Sequence, residues 1–197
     1  MIPLTTTIET PRCILRCVTR DDIPFVFSAT RHPGFCDGMT WNPPATEGGL
    51  LVPFENNMAA WEAGMAYTFT IQTKTGGIPT GRISIRCKGD GCWNLGFWTH
   101  PEHQGRGYMT EAAAAMLEFG FGTLSAGRIE AVHATWNISS RRVLEKIGMS
   151  FVRHIPEGFQ KNGRWVAEDL HAVDAKIPAS GVSQVHTGGD GANRKHC

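Results

Sequence analysis

Cys92-Trp93-Asn94-Leu95-Gly96-Phe97-Trp98-Thr99 leads through His100-Pro101-Glu102-His103 into Gln104-Gly105-Arg106-Gly107-Tyr108-Met109-Thr110, and an apolar stripe follows. The first eight residues are rich in aromatic and apolar side chains and are bounded by turn residues, which reads as a strand. Met109, Ala112, Ala113, Met116 and Phe119 then recur at helical spacing, predicting a helix from about Tyr108 to Phe121. A strand, a two-glycine turn and a helix start in succession expose consecutive backbone N–H groups beside the positive end of a helix dipole. That arrangement is a receptor for a diphosphate, to which Arg106 adds a charge and Thr110 a hydroxyl. As sequence alone it is also a plain connection. Two nucleotide folds do not fit: G-x-x-x-x-G-K-[ST] is absent, and Thr110 stands where G-x-G-x-x-G needs its third glycine. Gly96 reads either as a bulge or close backbone approach, or as a glycine tolerated for packing.

Upstream, Ala66 to Thr73 alternates with Tyr67, Phe69 and Ile71 on one face, and Lys74-Thr75-Gly76-Gly77 turns the chain. Gly81 to Cys87 and the turn Lys88-Gly89-Asp90-Gly91 make the Cys92–Thr99 segment the third strand of a meander. Before the meander lie a strand over Cys13–Val18 and a helix with Ile23, Val26 and Phe27 inward, started by Thr19 with Asp22 three residues on. A second helix carries Phe54, Met58 and Trp61, with Pro53 tolerable only in its first turn. After the long helix come a strand over Arg128–His133, a capped helix from Asn137 to Ile147 closed by Gly148, and two strands over Ser150–Ile155 and Arg164–Val173. Gly158 and Asn162-Gly163 join those last two strands. The order β-α-α-β-β-β-α-β-α-β-β implies an α/β sandwich around a mixed sheet of about seven strands, one domain over residues 1–174. From Ala175 onward Gly, Ser, Thr and His dominate without periodicity, so residues 175–197 are expected to be a disordered tail.

Composition narrows the function. The chain has 197 residues, and Lys+Arg total 19 against Asp+Glu 18, for a formal net charge of +1. That balance disfavours an extended grip on a nucleic-acid backbone. With no run of eighteen apolar residues and no signal-peptide pattern at Met1-Ile2-Pro3-Leu4-Thr5, the expectation is a cytoplasmic protein without a membrane segment. The six cysteines are scattered, without C-x-x-C, and behave as small hydrophobes. His100 and His103 flank a Pro-Glu pair and lack further ligands at metal spacing, so no metal is expected.

Three motifs in order resemble one family. Gln104-x-x-Gly107-x-Met109 resembles the pyrophosphate signature [Q/R]-x-x-G-x-[G/A] of the GNAT acyltransferases. Asn137-Ile138-Ser139-Ser140-Arg141-Arg142-Val143-Leu144-Glu145-Lys146-Ile147-Gly148-Met149 looks like the family's second segment, N-x-x-S-x-x-V-L-E-K-x-G-[MF]. Glu9-Thr10-Pro11-Arg12-Cys13-Ile14-Leu15-Arg16 resembles the opening strand of the branch holding the RimJ/RimL-type ribosomal-protein N-terminal acetyltransferases. The resemblance covers about residues 8–174. It implies a cleft where the fourth and fifth predicted strands splay, entered by the pantetheine arm of acetyl-CoA like a further strand. It also implies direct acetyl transfer to an amine, on a protein N-terminus or a small molecule, with a homodimer left open.

Carried over residue by residue, the resemblance implies that the backbone of Phe97, Trp98 and Thr99 contacts pantetheine and polarises the thioester carbonyl. Gln104, Gly105, Arg106, Gly107, Tyr108, Met109 and Thr110 would hold the pyrophosphate. Asn137 would meet the pantetheine amides, unless it is only a helix cap, and Ser140 would lie near the sulfur or the cofactor arm, unless it is only a first-turn polar residue; Ser140 or a bound water would return the proton to the sulfur. Met109 replaces a small residue, and either crowds the diphosphate or turns inward with the helix stripe. In the branch resembled, a glutamate often stands two residues before the strand glycine and aids deprotonation. Here that position is Asn94, which cannot act as a base. Candidate substitutes are Asp37, His133, Glu168, Asp169 and His171. An α-amine of pKa about 7.8 is roughly a tenth or more neutral at pH 7, against about 0.04% for a lysine, so an N-terminal amine needs little help. The acceptor site is expected between Phe35–Pro44, the second helix and the last hairpin, with Trp41 either walling a slot or capping the core. The same motifs are compatible with a CoA-binding module that has lost transfer, for which Asn94 is the supporting feature.

Overall fold

A computed structural model describes residues 2–176 of the chain. Alternation decides which side chains enter the core. Cys13 and Leu15, then Phe69 and Ile71, then Ile83 and Ile85, then Trp93 and Leu95 come from four neighbouring strands, and all are buried. The strands are β1 (Thr7–Glu9), β2 (Cys13–Cys17), β3 (Ala66–Thr73), β4 (Pro79–Gly89), β5 (Cys92–Thr99), β6 (Arg128–Ala134), β7 (Ser150–Lys161) and β8 (Arg164–Asp174). They form one sheet in the order β1-β2-β3-β4-β5-β6-β8-β7, in which only β5 and β6 run parallel. The helices are α1 (Ile23–Thr30), α2 (Leu51–Glu62), α3 (Tyr108–Gly122) and α4 (Ile138–Lys146).

Helix α3 buries Met109, Ala112, Ala113, Met116 and Phe119 against the sheet. Removing a methionine or phenylalanine side chain from water contributes about 1.5–3 kcal/mol. Trp61 of α2 meets the same layer, edge-on to Tyr67 and Phe69, whose rings also meet Phe119. Across the sheet, Ile23, Val26 and Leu50 form a smaller cluster to which Phe25, Phe27 and Trp98 add. Asp22 anchors that layer. Its buried carboxylate accepts from both Arg16 Nη atoms (3.0 and 2.7 Å), from the Thr19 N–H (2.9 Å) and from the Thr70 hydroxyl (2.8 Å). Burial alone would raise this carboxyl, but the Arg16 guanidinium and the two other donors hold it below its ordinary value.

Three differences from the sequence reading have local causes. Eight strands are present among the described residues where about seven were expected, because β1 is a three-residue edge strand too short to show alternation. Strand β7 runs on to Lys161 instead of ending at Ile155. Its pairing with β8 breaks between Ile155 and Phe159, so Pro156 and Gly158 imitate a loop inside a strand. Gly96 is no bulge: it pairs in continuous register with Ser84, and the β4–β5 irregularity lies between Cys87 and Gly89. The expected tail lies outside the described residues from 177 onward. No described helix is long and apolar enough to cross a membrane.

Candidate functional site

The site begins where two strands part. β5 and β6 pair at Cys92–Arg128, Trp93–Ile129 and Asn94–Glu130, and nowhere beyond. β5 nevertheless stays paired with β4 out to Thr99, and β6 with β8 out to Ala134. The facing backbone edges of the two strands are therefore left without strand partners, which opens a wedge at the sheet centre. Asn94 sits at the last pair, its Nδ2 reaching the Glu130 carbonyl at 3.5 Å.

Helices α3 and α4 both start at this wedge. Gly105 and Gly107 adopt φ of +75° and +80°, a left-handed backbone that disfavours any Cβ, and Gly107 is the N-cap of α3. Among the described residues, the N–H groups of Gly105 through Thr110 have no protein acceptor, and Glu111 N–H is the first to find one, at Gly107 O. Six consecutive donors beside a helix dipole suit an anionic diphosphate. At α4, Asn137 Oδ1 accepts from Ser140 N–H at 3.1 Å. Asn137 is thus a helix cap, and its Nδ2 is not consumed by that bond.

A cleft of about 670 Å³ joins these parts. It is lined by Phe97, Trp98 and Thr99, by Gln104, Gly105 and Gly107 through Thr110, by the end of β6, and by Asn137, Ser140 and further α4 residues. Of the cofactor and acceptor candidates, three lie off this lining. Arg106 folds back, its Nη2 donating to the Glu102 carbonyl at 3.1 Å. Asn94 stays with Glu130, and Trp41 meets Phe35, which in turn stands edge-on to Trp98. Met109 is 5% exposed and turns inward, its Cε 3.3 Å from where a Cβ on Gly81 would stand. Arg142 and Lys146 bring cations that the motif contained but the sequence reading did not single out.

The five candidate bases separate. His133 lines the cleft, and its Nδ1 must donate to the Ala134 carbonyl (2.8 Å), leaving Nε2 as a buried atom with no partner among the described residues. His171 is 2% exposed, its ring centroid 5.1 Å from that of His133, and burial depresses its pKa. Asp169 is paired with His154 Nδ1 at 2.9 Å. Glu168 lies against Gly158, outside either cavity, and burial raises its carboxyl. Asp37 lines a second cavity of about 570 Å³ with Trp136, Lys161, Asn162, Arg164, Trp165 and Val166. Trp136 borders both cavities, and a Cβ on Gly38 would stand 3.2 Å from its ring. Lys161 Nζ fixes the roof, donating to the carbonyls of Met39 (3.0 Å) and Trp41 (2.6 Å).

His100 caps the short helical turn Pro101–His103 that precedes Gln104. Its Nδ1 accepts from Glu102 N–H at 3.3 Å, so Nε2 carries the proton toward Ser28 Oγ at 3.1 Å. Burial lowers its pKa, as it does for His171. The unfolded chain protonates both at ordinary values near 6.5 while the native state resists. Stability is therefore full above about pH 6.5 and falls on acidification below it, as the unfolded chain takes up protons that the folded one resists. The urea midpoint is expected to be lower at pH 5.5 than at pH 7.5, with a smaller difference in His100→Gln; a midpoint indifferent to pH would refute this.

A splayed parallel pair, an amide-lined turn opening one helix and a capped second helix facing it define an acetyltransferase architecture. The family model described as an acetyltransferase (GNAT) domain matches residues 12–150, and the chain belongs to that family of N-acetyltransferases. It is 35% identical over 85 residues to the uncharacterized N-acetyltransferase YnaD of Bacillus subtilis, a match covering 43% of this chain and 50% of that protein. The chain thus spans about half the length of this curated relative. The fold is similar to that of Mycobacterium smegmatis RimJ in complex with a CoA disulfide (TM-score 0.75, 22% identity, 87% of this chain and 88% of that one). It is also similar to that of RimL, a ribosomal L7/L12 alpha-N-protein acetyltransferase in complex with coenzyme A (TM-score 0.78, 15% identity, 86% and 98%). Among the described residues, no group of three or more His, Cys, Asp or Glu is placed to hold a metal.

Proposed function

We propose that the chain transfers an acetyl group from acetyl-CoA directly to an amine, either a protein N-terminal α-amine or the amine of a small molecule. The observation that carries this is the pairing of six free N–H groups at Gly105–Thr110 with an unpaired β5 edge in one cleft. In this reading the turn holds the diphosphate, while the β5 edge at Phe97–Thr99 takes the pantetheine arm and polarises the thioester carbonyl. Asn137 Nδ2 orients the arm. The amine nitrogen attacks the carbonyl carbon, the carbon–sulfur bond breaks, the nitrogen gives up one proton and the departing thiolate gains one.

The acceptor enters by the second cavity, past Trp136 and Asp37. Asp37 is the candidate carboxylate that lines a cavity and has no ion-pair partner among the described residues, so it is the base candidate on the acceptor's path, with the cations Lys161 and Arg164 lining the same cavity. Likeness to proteins described as N-terminal acetyltransferases, and the absence of a glutamate at Asn94, both support an acceptor of low pKa.

At pH 7, a peptide α-amine is expected to be acetylated at least about 100-fold faster than a lysine side chain, the gap narrowing as pH approaches 10. Thiol release from acetyl-CoA over a panel of peptides, free amines and lysine-blocked controls measures this. A preference for lysine at pH 7 would refute the acceptor assignment. The second reading, a CoA-binding module without transfer, is favoured by Asn94 being spent on the Glu130 carbonyl. Binding of CoA without turnover on the whole panel would establish that reading.

A further inference from the structure

Arg12 reaches the diphosphate turn from the other end of the chain. It lies in the β1–β2 corner, yet its Nη1 donates to the Arg106 carbonyl at 3.1 Å, inside the turn. Its guanidinium carbon lies 4.9 Å from the centroid of the Tyr108 ring, the first residue of α3. Its Nη2 lies 3.3 Å from where a Cβ on Gly107 would stand. One guanidinium therefore spans the end of the turn and the start of α3, from Arg106 to Tyr108.

Glu111, one helical turn into α3, holds that guanidinium in place. Glu111 Oε2 accepts from Arg12 Nε at 2.7 Å, and Oε1 accepts from the Arg12 backbone N–H at 2.7 Å and from the Thr10 hydroxyl. The Glu111 side chain is 15% exposed against 52% for Arg12, so the carboxylate is the fixed member and the cation faces outward. Burial alone would raise the Glu111 carboxyl, but its three donors outweigh that and hold it below the ordinary carboxylate value. It stays charged throughout the neutral range. Nη2 has no partner among the described residues, which leaves one N–H fork of a firmly held cation beside the amide-lined turn.

We propose that Arg12 is a donor-binding residue for the diphosphate of CoA, and that Glu111 is a positioning residue acting through it. This rests on the acetyl-CoA reading above. Arg12 does two things at once: its bond to the Arg106 carbonyl keeps the turn's N–H groups pointing outward, and Nη2 offers the phosphates a charged donor. A diphosphate bound there meets neutral amides and a cation whose own carboxylate partner faces the other way. The brace also ties cofactor binding to the β1–β2 corner, 94 residues from the carbonyl it grips.

Acetyl-pantetheine, which keeps the thioester but lacks the diphosphate and nucleotide, separates this role from a merely structural one. Arg12→Ala is expected to raise the Kd for CoA, read by isothermal titration, at least about 10-fold and to lower kcat/KM for acetyl-CoA by the same factor. The same variant should change kcat/KM for acetyl-pantetheine less than about twofold and leave the acceptor KM alone. Arg12→Lys, which keeps the charge but not the fork, should fall between wild type and Arg12→Ala. Glu111→Gln should weaken CoA binding in the wild-type background and add nothing in the Arg12→Ala background. An unchanged CoA Kd in Arg12→Ala, or equal loss with both donors, overturns the proposal. A wild type that binds no CoA at millimolar concentration removes the acetyl-CoA reading itself, which is a different result.

Discussion

Gly107→Trp is expected to abolish the stabilisation that acetyl-CoA gives the protein. At about 100 times Kd, a ligand that binds only the native state adds roughly 2.7 kcal/mol. For a domain of this size that is about 5–10 °C in Tm. The variant should show none of it. Gly107 holds φ of +80°, so any side chain there is strained, and a bulky one fills the space in front of the N–H groups of Tyr108, Met109 and Thr110. Gly107 is exposed and outside the core, so the apo variant should stay folded, with a melting point a few degrees lower at most. A variant that keeps the full ligand shift would mean that the diphosphate does not rest on this turn. Loss of the shift in Gly107→Trp, with partial loss in Arg12→Lys, would show that the turn and its brace act as one binding unit.

The parts of the site contributed by contiguous residues were legible in the sequence; those made by distant pairs were not. Turn 104–107 and the Asn137/Ser140 pair are each local, and their chemistry follows from backbone geometry that two glycines or a helix start impose. The splay of β5 from β6 was implied by the resemblance. Gly96 gave no independent proof, since it pairs regularly with Ser84. Arg12 and Glu111 were invisible as a pair: 99 residues separate them, and no periodicity reports a contact that only the closed sheet creates. Arg106, by contrast, looked like the natural phosphate ligand because it lies inside the turn. It folds back to the Glu102 carbonyl, and Arg12 occupies the space beside Gly107. Trp41 illustrates the same limit. Its Pro-rich surroundings fitted a wall or a cap equally well, and contact with Phe35, decided by tertiary packing, puts it off the cleft lining.

Ser140→Ala is expected to lower kcat about 10- to 100-fold while leaving the Kd for CoA within about threefold of wild type. The asymmetry follows from what each atom of Ser140 does. Its N–H is already used, capped by Asn137 Oδ1 at 3.1 Å, and alanine keeps that bond. Its hydroxyl has no partner among the described residues and lines the cleft in the first turn of α4, where the helix dipole favours a developing negative charge. The departing thiolate is such a charge. A thiol of pKa near 8.5 is a fair leaving group unaided, which is why the expected loss sits at the low end for a general acid. Asn137→Ala should behave differently, costing about 1 kcal/mol of stability through the lost cap and weakening CoA binding as well. The pair of variants thus divides binding from chemistry: kcat alone for Ser140, Kd and Tm for Asn137. If Ser140→Ala leaves kcat unchanged, the thiolate collects its proton from solvent and the hydroxyl is a first-turn bystander. If instead Kd rises in step with the fall in rate, Ser140 belongs to the grip on the cofactor arm and not to the proton transfer.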